Sequence, residues 1–294
     1  MKTNYHTHTK FCDGKACAQD MVLDAISCGF DILGFSSHAA YPYQSEWHIK
    51  TEKYQEYVST IRSLAQEYKE KIKILLGFEA DFLPAVLTPD KNHYKKFNPD
   101  FIIGSVHYVI NFENPSIKGF PQKDCDIPVN CFAIDGSEEE VKYGLEKMFS
   151  CDGKKVVQTY FSLEREMISS CNFDIIGHPD IVRKRNSTLH FFDENDEWYK
   201  KELKETALAI AKSGKIAEVN YGGISRGTLN DTYPSLPFLE LLKKYDVPLT
   251  ISSDSHNVAQ MNNGYDFAIQ QIKNAGYSEF FYLYNGKWLK TTLD

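Results

Sequence analysis

Seven times along this chain a short apolar run is followed by a stretch with helical spacing. The runs are Thr3–Thr7, Ile32–Ser36, Ile72–Phe78, Phe101–Ser105, Phe173–Ile176, Ile216–Val219 and Leu249–Ser252. Each is β-branched or aromatic without strict alternation, as suits strands buried on both faces of a parallel sheet. Between them, Gln19–Cys28, Thr51–Lys69, Glu138–Glu146, Val157–Ser169, Trp198–Ser213, Ser235–Lys244 and Gly264–Asn274 repeat apolar residues every three or four positions. Gly29, Gly214 and Gly276 fall where a left-handed helix cap is wanted. Strand and helix in alternation imply an α/β fold with a parallel sheet, and at this length a closed barrel.

Two stretches break the pattern. Residues 108–135 hold three prolines, one glycine and no clear period, and are expected to be an insertion after the fourth strand. Near the end, Phe280–Tyr284 and Trp288–Leu289 flank Asn285-Gly286, a hairpin signature. No linker or repeat divides the chain, so a single domain over 1–294 is expected. Hydrophobic residues make up 42%, enough for a core without staples, and the net charge of −7 with no basic block argues against a nucleic-acid surface. The seven cysteines lack CxxC spacing. With no apolar run of membrane length and no leader before the first strand, a cytoplasmic protein with reduced thiols is expected, without a membrane partner. Oligomeric state is not legible.

The chemistry lies at the ends of the strands. His6 and His8 are two apart on an extended run, so both imidazoles face one side. Asp13 follows them. The second run ends in SSH with His38, the third in GFEAD with Glu79, and the fourth in GSVH with His107. The fifth ends in IGHPD with His178, the sixth in EVN with Asn220, and the seventh in SSDSH with Asp254 and His256. Any one alone is weak: a lone histidine is more often structural, Asp13-Gly14 reads as a turn, and Asp254 could cap a helix. In a barrel, however, all C-terminal strand ends meet at one face, which carries the active site. Nine such groups exceed the ligand set of one zinc and suit two or three divalent ions, with zinc, manganese or iron favoured by imidazole and carboxylate donors. Metal-assisted hydrolysis is the chemistry implied.

In this order HTHTKFCDG, SSHA, GFEAD, GSVH, IGHPD and SSDSH resemble the motifs of the polymerase-and-histidinol-phosphatase (PHP) superfamily, from residue 1 to about 260. The resemblance implies a distorted (β/α)7 barrel and a trinuclear site. One ion would take His6, His8, Glu79 and Asp254; a second Glu79, His107 and His178; a third Asp13, His38 and His256. Some relatives carry histidine where Asp13 stands, and Cys12 is an alternative donor beside it. The long insertion and the run EVNYGGISRG most resemble the monofunctional histidinol-phosphate phosphatases. The reaction implied is hydrolysis of L-histidinol phosphate to L-histidinol and phosphate in histidine biosynthesis, by attack of a metal-bridging hydroxide on phosphorus. The alternative is a PHP-type phosphodiesterase or exonuclease acting on nucleotides or short oligonucleotides.

A phosphate needs orienting as well as neutralising, and arginine supplies a planar fork. Arg183 after IGHPDIV and Arg226 after NYGGIS are the expected phosphate ligands. Asp254 or His256 would protonate the leaving alcohol. Asn220 is assigned to second-layer or substrate hydrogen bonding, and Asp180 either orients a ligand imidazole or caps a helix. For the substrate's amine and imidazole, the insertion offers Tyr108, Phe112, Glu113, Asp124 and Asp126, and the loop after the second strand offers Tyr41, Tyr43 and Trp47. His48, His93 and His190 lie off the strand ends and are taken as surface or packing residues.

Overall fold

The computed structural model describes residues 1–293 except Gln44, Pro115, Ile117 and 122–129. Seven parallel strands form one sheet in the order β1 (Thr3–Asn4), β2 (Ile32–Phe35), β3 (Lys73–Asp81), β4 (Phe101–Ser105), β7 (Ile175–Ile176), β8 (Ile216–Asn220) and β9 (Leu249–Ser252). The strands are almost wholly buried, as in a parallel sheet covered on both faces.

The barrel is nearly closed, and the seam explains its distortion. β1 and β9 share no ladder within their own spans. A single parallel bridge, Thr7 to Ser255, joins the chain just beyond them, with His8 N donating to Ser255 O at 2.9 Å and Ser255 N to His6 O at 3.2 Å. Below it the Asn4 side chain replaces backbone pairing: its Oδ1 accepts from Ser253 N at 2.9 Å and its Nδ2 donates to Ser253 Oγ at 2.8 Å. The first strand is therefore short in regular pairing, although His6 and His8 stay extended and buried.

The interior is filled by aromatic packing. The Phe101 ring lies against Gly34 and Gly77; a Cβ at Gly77 would stand 2.5 Å from the ring and one at Gly34 2.8 Å. Glycine in these strands is thus a consequence of the ring inside. Tyr5, Ile32, Leu75, Phe101, Ile103, Ile175 and Leu283 form this cluster. The expected terminal hairpin, β10 (Glu279–Tyr284) with β11 (Lys287–Thr292), caps it: Leu283 N donates to Tyr5 Oη at 2.8 Å and Trp288 packs on Tyr5 at 5.3 Å. Asn285 and Gly286 both have positive φ, as a tight turn matched to strand twist requires. One end of the barrel is therefore plugged, and the strand C-termini at the other remain for a site.

The helices form as their spacing predicts, with shifts of a few residues, and Gly29, Gly214 and Gly276 take positive φ at the expected caps. Two features depart from expectation. Residues 108–135 are not wholly irregular: β5 (Tyr108–Ile110) pairs antiparallel with β6 (Cys131–Ala133), making a buried root for the arm. Residues 183–189, expected as loop, form a helix whose last residue is followed by His190 at φ 48°. Among the described residues, no helix is long and apolar enough to cross a membrane.

Candidate metal centre

The strand-end groups meet at one place. Glu79, on the last part of β3, stands at the centre. Its Oε2 lies 3.0 Å from His6 Nε2, 3.5 Å from His8 Nε2 and 3.0 Å from His38 Nδ1. Its Oε1 lies 3.0 Å from His178 Nε2 and 3.5 Å from His107 Nε2. Asp254 Oδ1 approaches His8 Nε2 at 3.2 Å and His6 Nε2 at 3.7 Å. On the outer side, Asp13 Oδ2 lies 3.1 Å from His256 Nε2, with Asp13 Oδ1 3.6 Å from His8 Nδ1 and 3.9 Å from His38 Nε2. His6, His8 and Glu79 are at most 1% exposed. His178 and Asp254 adopt φ of 27° and 50°, a backbone strain that non-glycine residues hold only where the surroundings impose it.

His178 Nε2 with Glu79 Oε1 and His256 Nε2 with Asp13 Oδ2 have hydrogen-bond geometry, whereas the other contacts are close without it. His6 Nε2, His8 Nε2, His38 Nδ1, Asp13 Oδ1 and Glu79 Oε2 are buried and lack a hydrogen-bond partner among the described residues, although each has an oppositely charged or polar neighbour within 4 Å. Ion-pair distance and missing hydrogen-bond geometry are reconciled if the lone pairs converge on shared points between the atoms. Ligands about 2.1 Å from a zinc at tetrahedral angles stand roughly 3.4 Å apart, which is the spacing found here. Among the described residues, five overlapping sets bring three or more donors within reach of one ion: His6, His8 and Asp254; His6, Glu79 and His178; His38, Glu79 and His107; His38, His48 and Asp81; and His8, Asp13, His38 and His256. The residues present fit divalent cations. His38 faces Glu79 with one ring nitrogen and Asp13 with the other, so geometry alone does not divide it between neighbours.

Charge in the cage is strongly coupled. Burial opposes ionisation of Glu79 and Asp254, but His6 beside Glu79 and Arg226 beside Asp254 hold both carboxyls well below their usual range. Burial, with His256 and His38 nearby, pushes His8 down to about 3. Burial likewise disfavours charge on His107, yet Asp81 and Glu79 raise it to about 10. Without cations the cluster would keep protons on selected imidazoles, the charge that ions would otherwise supply.

Behind the cage stand two carboxylates that sequence reasoning missed. Glu218 Oε1 lies 2.8 Å from His6 Nδ1, while its Oε2 accepts from His178 N and Asn220 Nδ2, both at 2.9 Å. Asp81 is hydrogen-bonded to His107 Nδ1 and to the Tyr41 hydroxyl, and lies 3.3 Å from His48 Nε2. His48, whose Nδ1 is 2.6 Å from Ser45 Oγ, is therefore a buried member of this support, not an incidental histidine. The signal was available: Asp81 is two residues after Glu79, and Glu218 two before Asn220, so each shares a strand face with a residue already singled out.

Above the cage is a cavity of about 200 Å³ whose lining includes Trp47, Asp135, Lys184, Arg226 and the faces of the cage histidines. Arg226 reaches it while donating to Asp254 O at 2.5 Å and Asp254 Oδ2 at 2.8 Å, and its Nε has no partner among the described residues. Arg183 is a correction. Its guanidinium turns away into a buried nest, donating to Glu194 at 2.7 Å, Asp231 at 2.8 Å and Thr232 O at 3.0 Å, because it opens the unforeseen helix on its inner side. Lys184, one residue on, faces the cavity instead. Glu113 is also corrected: its side chain is 71% exposed, pairs with Lys155 and does not line the cavity. Asn220 is spent on Glu218 and on Gly222 N at 2.8 Å, so it braces and does not line the cavity. Asp180 accepts from Ser235 N at 2.9 Å and does not touch His178's ring. Burial pushes the Cys12 thiol up to about 12, and it donates to Thr9 O at 3.4 Å, so a thiolate donor is disfavoured. Asp124 and Asp126 lie outside the described residues.

The sequence pattern described as the PHP domain matches residues 4–222. A Schizosaccharomyces pombe protein named "Probable histidinol-phosphatase" is 26% identical over 292 residues, covering 94% of this chain and 87% of that one. A crystal structure from Listeria monocytogenes superposes with a TM-score of 0.75 at 20% identity, covering 90% of this chain and 99% of its own. The histidinol phosphate phosphatase of Lactococcus lactis, solved with zinc, L-histidinol and phosphate, superposes with a TM-score of 0.69 at 22% identity over 98% of both chains.

Proposed function

This chain belongs to the PHP domain family, and from that premise we propose that it is a metal-dependent phosphomonoesterase that hydrolyses L-histidinol phosphate to L-histidinol and phosphate. The observation that carries the reading is the convergence of buried, partnerless imidazole and carboxylate atoms from the strand ends beneath a small cavity. Relatives matched over nearly the whole chain and named for histidinol phosphatase activity support the choice of substrate. We take the chain as one barrel over 1–294, with the arm at 108–135 as its insertion.

In this reading His6, His8, Glu79 and Asp254 would hold one divalent ion, Glu79, His107 and His178 a second, and Asp13, His38 and His256 a third. Bound ions would contribute Lewis acidity, making a water a better nucleophile and offsetting charge on phosphoryl oxygens. Arg226 donates through its free Nε to a phosphate oxygen, and Lys184 adds a point charge at the rim. The ester P–O bond breaks as the water oxygen bonds phosphorus. Asp254 or His256, with side chains 8% and 21% exposed at the mouth, takes the proton that the attacking water loses and passes it to the leaving oxygen. Glu218 and Asp81 fix the tautomers of His6 and His107, so that the opposite ring nitrogens face the cage.

The test is phosphate release by purified protein loaded with manganese or zinc. Histidinol phosphate should be cleaved at least about tenfold faster than nucleoside monophosphates, with little cleavage of a dinucleotide. Equal or better diester cleavage would move the assignment to a nucleotide phosphodiesterase.

A further inference from the structure

The cavity holds one carboxylate that the cage does not use. Asp135 follows β6 at the root of the arm, where Ile134 N donates to His107 O at 2.8 Å and the next residue, Gly136, receives a hydrogen bond on its carbonyl from Arg185 Nε. Its Oδ2 accepts from Lys184 Nζ at 3.0 Å. Its Oδ1 is buried and has no hydrogen-bond partner among the described residues, although the side chain as a whole is 14% exposed at the cavity wall. No described imidazole nitrogen comes within 4 Å of it, and it joins none of the sets that could hold an ion. Burial opposes its charge, but Lys184 and His107 hold the carboxyl down to about 2, so it is ionised.

A buried anionic oxygen left unmatched is costly unless a ligand supplies the donor. It shares the cavity with Arg226 and Lys184, which suit a phosphate, and with the Trp47 ring, which packs 5.5 Å from His38 and 6.0 Å from His107. Asp135 Oδ1 leaves an acceptor for a cationic donor, and Arg226 and Lys184 offer donors to an anion, in a lining that also holds the Trp47 ring. We infer that Asp135 Oδ1 binds the primary ammonium of a phosphomonoester substrate and so selects amine-bearing esters over amine-free ones. This rests on the phosphomonoesterase reading above and names the group by which that site would choose its substrate. The arm would thus contribute its recognition residue at its rooted end, where backbone pairing fixes the carboxylate.

The test is calorimetric binding to zinc-loaded wild type, Asp135→Asn and Asp135→Glu, using L-histidinol and the corresponding deaminated imidazolyl alcohol. A charge-assisted hydrogen bond makes the wild type prefer the amine by about 10- to 100-fold. That ratio should fall to near one in Asp135→Asn, which keeps an acceptor for Lys184, and recover in part in Asp135→Glu, with metal content equal in all three proteins. A wild type without preference, an undiminished preference in Asp135→Asn, or a loss that tracks loss of metal would overturn the inference. Histidinol phosphate hydrolysis, measured alongside, separates the two readings. Asp135-dependent amine preference without hydrolysis sinks the proposed reaction alone. Hydrolysis without amine preference sinks the recognition role alone.

Discussion

Arg183 and Lys184 are neighbours in the chain and face opposite ways. On a helix successive side chains diverge by about 100°, so Arg183 enters the nest of Asp180, Glu194 and Asp231 while Lys184 points over the cage. Their substitutions should separate accordingly. Arg183→Ala leaves three carboxylates without their counter-ion and should cost about 3–5 kcal/mol of stability, read as a lower Tm with metal content kept in the folded protein. Arg226→Ala should fold and lose about 100-fold or more in kcat/KM, since its side chain lines the cavity and holds Asp254. If Arg183→Ala were as stable as wild type but inactive, its assignment to structure would be wrong. The carboxylates behind the ligands offer a second contrast. Asp81→Asn and Glu218→Gln keep size and remove charge, and each should weaken metal binding by about 10- to 100-fold. Titration with a competing chelator checks this directly, and unchanged affinity would leave both residues as packing alone.

Among the elements, β4 and the helix over 153–170 make the clearest demands. Phe101 is 1% exposed and fills the barrel between Gly34 and Gly77. Phe101→Ala would empty a space that glycine-bearing strands cannot refill, so a loss of about 3–5 kcal/mol is expected by denaturant unfolding. A loss below about 1 kcal/mol would mean that the barrel collapses around the gap. In the helix, Glu164 is 1% exposed, and burial, then Asp180, raises its carboxyl well above its ordinary value of 4.5. The folded state keeps a proton that the unfolded chain releases. The stability from this group is therefore complete below pH 4.5 and falls as pH rises through the raised value. Glu164→Gln mimics the protonated form, so its Tm advantage over wild type should grow from pH 5 to pH 8. An advantage that stays constant over that range would contradict the sign.

For the whole molecule, the cage would couple metal binding to folding, because its donors come from strands distant in sequence and exist as a set only in the barrel. Removal of ions by a chelator should lower Tm by on the order of 10 °C at ion concentrations far above Kd, given about 2.7 kcal/mol for each site held at a hundredfold excess. His8→Ala and Asp13→Ala should deplete different ions, since His8 Nε2 faces Asp254 and Glu79 whereas Asp13 faces His256. Elemental analysis of the two variants checks the division, and the same single loss in both would refute it.

How much of this was legible depended on the range of the interaction. Strand and helix periods are local, and so were read from the chain: seven buried runs, the helices between them, the glycine caps and the Asn285-Gly286 turn all form where the sequence places them. The order of histidines and carboxylates at strand ends needed one further step, that a parallel barrel gathers those ends at one face. That step brought together His6, His8, Asp13, His38, Glu79, His107, His178, Asp254 and His256. What the sequence could not decide were partnerships set by angle and by distant segments. Whether Arg183 or Lys184 faces the cavity turns on the phase of a helix with no strong period. Glu218 meets His6 across 212 residues, and Asp81 is joined by Tyr41 and His48 from a loop. Asp135 is aimed by a pairing between β5 and β6 that no repeat announces. A side chain's type and spacing say what it can do. Only the folded neighbours decide whether its charge is already matched or left for a ligand.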